Sequence, residues 1–219
     1  MRIIARFEKR GAARFVSHLD VQRLFQRAFR RAKIPVAYSQ GFNPHPVLAF
    51  ATALSVGFTS SAEWLDVKLE SEIAPELFVE RVNEELPSGF YVREAILADD
   101  KIAALSSIMC AANYEVSFLC EVEDDALQTA IDSLLGGAII VNKHTKGGMK
   151  DVDLRPKLYR LTFERPDKLI ITGEVSAQGS LGIDLLMEAL FVRLGKKYPY
   201  SVHRSALYSK DGLVMPRIN

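Results

Sequence analysis

The order of strand and helix patterns constrains the fold of this chain most, because the same order occurs twice. Alternating apolar residues predict strands, and an apolar period of about 3.6 residues predicts helices. The first half follows the order strand, helix, strand, strand, helix, strand. Its predicted segments are residues 2–8, 17–33, 47–53, 63–70, 75–86 and 90–97.

The second half repeats this order with an insertion after its first helix. Its predicted segments are residues 114–121, 124–135, 138–142, 157–164, 168–175, 183–194 and 201–208. We therefore predict an α+β fold of two tandem ferredoxin-like (βαββαβ) modules with antiparallel sheets. The N-terminal module takes residues 1–98, a linker takes 99–112, and the C-terminal module with a basic hairpin insertion takes 113–219.

The first predicted helix has one apolar face and one basic face. Ser17 is a favourable N-cap, and Pro35 ends the helix soon after Lys33. Val21, Leu24, Phe25, Ala28, Phe29 and Ala32 form the apolar stripe, and Arg23, Arg27, Arg30 and Arg31 lie opposite. After Asp20 the helix contains no acid that could pair with these arginines, so the pattern favours a phosphate partner over an ordinary solvated face.

The charge of the chain is distributed unevenly, although the net value is only +1. Ten basic and two acidic residues give residues 1–50 a charge of +8. Residues 51–130 contain four basic and sixteen acidic residues, which leaves −12, and residues 131–219 contain fourteen and nine, which leaves +5. This asymmetry predicts a basic surface built from the N-terminal stretch and part of the C-terminal half.

A short stiff loop follows the basic helix. Gly41 permits a backbone conformation that other residues avoid, while Pro44 and Pro46 restrict the chain around them. Stacking and hydrogen-bonding groups in this loop are Tyr38, Gln40, Phe42, Asn43 and His45. Such a set suits unpaired RNA bases, whereas the alternative is a tight connection whose polar groups only satisfy the backbone.

Two histidines are candidate catalytic residues. If His18, at the start of the basic helix, lies near His45, the pair could act as acid and base in metal-independent RNA cleavage. A metal site formed by the histidines with Asp20 is a weaker alternative, because the spacing alone is not specific. The alternative interpretation is that His18 only caps or packs against the helix and that His45 only contacts a ligand.

The insertion in the second half is rich in basic residues. Lys143, Lys146, Lys150 and Arg155 surround a glycine pair at positions 147 and 148. This pattern predicts either a mobile hairpin tip or a loop that clamps a phosphate backbone. Asp153 and Arg155 could also form only a local ion pair.

Several function classes find no support in the sequence. Cys110 and Cys120 lie ten residues apart in apolar surroundings, which predicts buried thiols and leaves too few cysteines for an iron–sulfur cluster. No phosphate-loop or dinucleotide fingerprint is present, and no cofactor is expected. The absence of a long apolar run predicts a cytoplasmic protein with no membrane association.

Three motifs carry a family resemblance: HLD at residues 18–20, YSQGFNPHP at 38–46 and DLRP at 153–156. With these motifs the chain resembles the radical-SAM-linked protein family, a bacterial domain of unknown function. The resemblance implies a cobalamin-binding radical SAM protein as partner, encoded beside the domain or fused to it, often near genes of RNA processing. It assigns no catalytic residues.

We therefore expect an RNA-binding accessory protein, for tRNA or rRNA, that acts with a radical SAM enzyme in RNA modification or processing. We expect this chain to bind RNA rather than to catalyse a reaction on its own. One alternative is an endoribonuclease or RNA-modifying enzyme that uses His18 and His45. The other is a protein-binding adaptor of the radical SAM partner, which predicts an exposed apolar patch.

Overall fold

A nine-stranded, mostly antiparallel sheet runs through both halves of the chain. The computed structural model describes residues 1–145, 148–176 and 179–210. The first half contributes β1 (Arg2–Lys9), a 3-10 turn (Gly11–Phe15), α1 (His18–Arg31), β2 (Leu48–Phe50), β3 (Thr59–Lys68), α2 (Pro75–Glu85) and β4 (Phe90–Ala98). Its strands lie in the order β4-β1-β3-β2, and each neighbouring pair is antiparallel.

The second half has the equivalent strand order. It contributes α3 (Leu105–Ile108), β5 (Met109–Phe118), α4 (Asp124–Leu135), β6 (Ile140–Thr145), β7 (Gly148–Asp153), a 3-10 turn (Arg155–Lys157), β8 (Leu158–Glu164), β9 (Lys168–Ser176), β10 (Gly179–Ser180), α5 (Ile183–Leu194) and β11 (Tyr200–Ser209). Four strands lie in the antiparallel order β11-β5-β9-β8. Strands β6 and β7 form a separate hairpin.

The two halves join where β11 pairs in parallel with β3. His203 lies opposite Thr59 and Arg204 opposite Ser60, so the join covers only a short part of each strand. The result is a mixed α/β fold with one large, mostly antiparallel sheet and, among the described residues, five α-helices. No helix in the described ranges has the length and apolar character needed to cross a membrane.

Each half has its own apolar cluster. In the first half, Phe7 of β1 meets Phe25 of α1 edge to face at 4.8 Å between ring centroids, and both side chains are buried. Every third or fourth residue of α1 points at the sheet, which is why a sequence with this period forms a helix here. Burial of one such aromatic side chain stabilises the fold by roughly 1.5–3 kcal/mol.

The boundaries of α1 follow the sequence signals closely. Ser17 caps the helix, because its hydroxyl accepts a hydrogen bond from the backbone N–H of Asp20 at 3.3 Å. The helix ends at Arg31 rather than Lys33. Lys33 adopts a positive φ of 52°, and the N–H of Ile34 bonds back to the carbonyl of Phe29, which closes the C-terminal end of the helix before Pro35.

The predicted linker is shorter than expected. Strand β5 begins at Met109, so residues 109–112 lie in the sheet, and Ala111 and Ala112 are fully buried. The residues before it are also packed, because Leu105 and Ile108 of α3 belong to the apolar cluster of the second half. Periodicity missed this strand start because small residues carry little hydrophobic signal.

Candidate nucleic-acid interface

The basic face of α1 is exposed, but its four arginines differ in their partners. Arg31 is paired, since its Nε lies 2.6 Å from a carboxylate oxygen of Glu85 at the end of α2. Arg23 approaches Asp20 at 3.4 Å. Arg27 and Arg30 form no ion pair within the described part of the chain, so the predicted unpaired face narrows to Arg27 and Arg30 with Arg23 beside them.

The loop after α1 is closed by main-chain hydrogen bonds. The N–H of Val47 donates to the carbonyl of Ala37 at 2.8 Å, and the N–H of Ser39 donates to the carbonyl of His45 at 2.9 Å. Gly41 has a φ of 130°, which confirms the positive φ that the sequence pattern predicted. The backbone therefore holds residues 38–46 as a defined projection at the C-terminal end of α1.

The side chains of this loop point into solvent. Phe42 is completely exposed, and Tyr38, Gln40 and Asn43 are exposed as well. His45 is exposed but anchored, because its Nδ1 lies 2.9 Å from the hydroxyl oxygen of Ser39. An aromatic ring with no protein contact beside a fixed imidazole is a surface on which planar groups can stack.

The structure does not bring His18 and His45 together. His18 lies in the first turn of α1 and packs edge to face on Phe50 at 5.4 Å between ring centroids. His45 lies in the loop that follows the other end of this 14-residue helix, and no hydrogen bond or ring contact joins the two histidines within the described residues. The predicted acid–base pair therefore has no geometric basis.

The Asp20 carboxylate is engaged by neighbouring side chains in the first turn of α1. It accepts a hydrogen bond from the hydroxyl of Ser17 at 2.7 Å and approaches Arg23. No group of three or more His, Cys, Asp or Glu side chains placed to hold a metal ion occurs among the described residues. The cysteines also differ from expectation, since Cys110 is half-buried and Cys120 is exposed.

The basic residues of the second half lie on and beside the β6–β7 hairpin. Lys143 and Lys150 are directly opposite each other across the two strands, and both are exposed. Asp153 does not pair with the Arg155 side chain, because its carboxylate accepts the backbone N–H groups of Ile139 and Arg155 at 2.9 Å each. The predicted residue Lys146 and the glycine at 147 lie outside the described residues.

Thr52 relates the hairpin to α1. It lines a cavity together with Lys143, and it also lines a narrow cleft beside His18 and Lys9. Thr52 therefore lies between the hairpin and the N-terminal end of α1.

A buried ion pair at the junction was missed by the sequence analysis. Arg204 of β11 is only 1% exposed, and its Nε donates to a carboxylate oxygen of Glu63 at 2.7 Å, with Nη2 bonded to the other oxygen. A signal was present, because Glu63 falls two residues before Leu65 on the inward face of β3. A charge at an inward strand position indicates a buried partner.

A further histidine supports the junction from the opposite face. Nδ1 of His203 lies 2.9 Å from the Thr59 hydroxyl oxygen, and Nε2 lies 3.1 Å from that of Ser61. Burial lowers the pKa of His203, because a partly dehydrated site disfavours the charged imidazole. We interpret His203 as a neutral structural group that links β11 to β3.

The fold and this surface define the chain as a mixed α/β protein with a basic helix and a projecting loop on its N-terminal half. It belongs to the family described as "Uncharacterized protein conserved in bacteria (DUF2344)", whose model matches residues 2–183. No curated protein matches the chain.

Among solved structures, a chain of the "Crystal Structure of a Cbf5-Nop10-Gar1 Complex" is similar. The identity is 13% and the TM-score 0.49, and the match covers 94% of this chain. The match covers 48% of the other chain, so this chain spans about half its length. A likeness at this level carries no argument about function.

Proposed function

We propose that this chain is an RNA-binding accessory protein, for tRNA or rRNA, that acts with a radical SAM enzyme in RNA modification or processing. One observation carries the proposal: within the described residues, Arg27 and Arg30 lack acidic partners, and their helix is followed by a loop with a fully exposed Phe42. Guanidinium groups grip phosphate oxygens, and an exposed ring stacks on a base. RNA presents both groups within one ligand.

Neighbouring charges limit where RNA can lie. Helix α2 packs beside α1 and exposes Glu80 and Glu84, while Glu85 already neutralises Arg31. Phosphates are repelled from that side. The favoured path therefore runs along Arg23, Arg27 and Arg30 toward the loop of residues 38–46.

We propose further that the two halves are ferredoxin-like modules. The strand orders β4-β1-β3-β2 and β11-β5-β9-β8, each with two helices between its strands, support this assignment. The radical SAM partnership rests on the HLD, YSQGFNPHP and DLRP motifs. With only two cysteines, the chain needs a partner to supply any iron–sulfur chemistry.

An exposed apolar patch favours a second candidate function, docking onto that partner. Phe15, Leu19 and Val56 each expose more than half of their side-chain surface. The N–H of Gly57 donates to the carbonyl of Arg14 at 2.8 Å, which places Val56 beside the turn that contains Phe15. The patch lies at the N-terminal end of α1, away from the loop, so docking and RNA binding are compatible.

Charge reversal on α1 tests RNA binding. We expect Arg27→Glu with Arg30→Glu to bind purified tRNA at least roughly tenfold more weakly at low salt, because two phosphate contacts become repulsive. The slope of log affinity against log salt should fall by about 0.7–0.9 for each lost contact. Titrations at several salt concentrations measure both values.

The matched control is Arg81→Glu with Lys101→Glu, which changes the net charge by the same amount at exposed positions on α2 and in the linker. Equal loss of affinity in both double variants would show that only net charge matters. Unchanged affinity and slope in a folded Arg27→Glu, Arg30→Glu variant would refute the interface on α1 and leave docking as the favoured function.

The loop supplies a separate test with single-stranded RNA. We expect Phe42→Ala to weaken binding of a single-stranded oligonucleotide by about 1–3 kcal/mol, since one stacked base loses its platform. Stability should not change, because the ring makes no contact in the folded protein. Fluorescence anisotropy gives the affinity, and Tyr91→Ala, an exposed aromatic on β4, is the control.

A further inference from the structure

A cavity of about 200 Å³ lies at the junction of the two halves. The first half contributes Thr52, Ser55 and Phe58 from the connection between β2 and β3. The second half contributes Tyr114, Lys143, Arg204 and the first residues of α5. Junctions of this kind are frequent ligand sites, because two rigid bodies each supply part of the wall.

Two cationic side chains line this cavity, and they differ in how far other protein groups already bind them. Arg204 is held by Glu63 and also hydrogen-bonds Tyr114, and its Nη1 lies 3.4 Å from the carbonyl oxygen of Ala53. Lys143 projects from β6 and forms no ion pair within the described ranges. The Arg204 guanidinium is therefore engaged by protein partners, and Lys143 is the cation of the cavity that has no ion pair among the described residues.

The start of α5 adds hydrogen-bond donors to the same wall. Gly182 is the N-cap and offers no side chain, so the first-turn N–H groups have no side-chain cap. The hydroxyls of Thr52, Ser55 and Ser180 also line the cavity. The one carboxylate on the wall, Asp184, accepts a hydrogen bond from the Tyr200 hydroxyl at 2.9 Å.

We propose that this cavity binds a phosphomonoester, with the phosphate between Lys143 and the first turn of α5. An ammonium group together with free helix N–H donors favours an anion with several acceptor oxygens. The volume lies below the range of about 300–1,000 Å³ for drug-sized ligands, so a phosphate with its attached sugar fits inside and the base of a nucleotide such as AMP extends outside. The site is separate from the arginine face of α1.

The ligand contacts both halves, so it fixes the junction as well as filling the cavity. Lys143 belongs to a hairpin that is not part of the large sheet, and Thr52 belongs to a connection outside the regular strands. A bound phosphomonoester joins these two elements through one set of contacts. Binding therefore stabilises the folded chain by an amount that rises with the logarithm of ligand concentration once this exceeds the dissociation constant.

Calorimetric titration of the full chain with AMP and with adenosine tests the proposal. We expect AMP to bind at least tenfold more tightly than adenosine, and Lys143→Ala to weaken AMP binding by roughly tenfold through loss of a charge-assisted contact. Lys143→Arg should retain most of the affinity. The control Lys197→Ala removes an exposed lysine just beyond the C-terminal end of α5, far from the cavity, and should change nothing.

Equal affinity for AMP and adenosine, or equal loss in Lys143→Ala and Lys197→Ala, would overturn the site. The source of the phosphate is then distinguished with one RNA oligonucleotide carrying either a 5′-phosphate or a 5′-hydroxyl. A gain from the 5′-phosphate that Lys143→Ala abolishes identifies an RNA end, and no gain identifies a free nucleotide. AMP titration contains no RNA, so its result is independent of whether α1 binds RNA.

Discussion

We expect Glu63→Ala to lower the free energy of unfolding by about 3–5 kcal/mol, because it leaves a buried guanidinium without its partner. Arg204 and Lys9 are 1% and 2% exposed, and both lie close enough to Glu63 to be stabilised by its charge. Burial lowers the pKa of Lys9, the positive charge of Arg204 lowers it further, and the charge of Glu63 opposes both. Without Glu63, two adjacent cations would be buried in the junction.

The comparison that isolates burial is Glu94→Ala. Glu94 pairs with Arg6 at 2.6 Å, but the two side chains are 50% and 37% exposed, so the loss should stay below about 1 kcal/mol. Denaturant unfolding of both variants measures the difference. Similar losses in the two variants would mean that the buried ion pair has no special role in stability. The loss in Glu63→Gln should fall between those of Glu63→Ala and Glu94→Ala.

The second large effect concerns Gly89, where we expect substitution by Ala to cost about 3–4 kcal/mol from backbone strain and overpacking together. Gly89 has a φ of 93°, and an added Cβ would lie 2.7 Å from both the carbonyl oxygen of Arg10 and the Cβ of Ala13. The carbonyl of Gly89 also accepts the N–H of Arg10 at 2.8 Å. The turn between β1 and α1 therefore cannot move away without losing that bond.

Gly57 has a nearly identical φ but lacks the steric clash. Its φ is 91°, and nothing lies within 4 Å of an added Cβ, so Gly57→Ala should cost only about 1–2 kcal/mol. Thermal or denaturant unfolding of the two variants separates conformational strain from steric exclusion. Equal losses would show that the carbonyl of Arg10 gives way.

Local sequence signals were sufficient to predict the helices and strands but not the way in which they assemble. Ser17 and Pro35 mark the helix between them, and the alternation at Leu65 and Val67 marks β3, because caps and periodicity act over a few residues. The pairing of Arg204 with Glu63 joins positions 141 residues apart. Periodicity states which face of a strand is buried, but not which other strand lies beside it.

The sequence likewise predicts some features of the candidate interface and not others. The positive φ of Gly41 follows from the loop sequence, and the exposure of Arg27 and Arg30 follows from the phase of the helix. The ion pair that neutralises Arg31 could not be predicted from the sequence. Its partner Glu85 lies 54 residues later and meets Arg31 only because α2 packs on α1. The junction cavity is likewise a product of tertiary assembly.

The position of β11 has a consequence for the order in which the chain can fold during synthesis. All strands of the first half are complete once Ala98 has left the ribosome, yet β3 pairs there with the three-residue β2 and later with β11. Until residues 200–209 emerge, the start of β3 remains an unpaired edge next to the single charge of Glu63. A nascent chain that stops before β11 therefore leaves the start of β3 without this neighbour, and an unpaired strand edge is a place where chains associate.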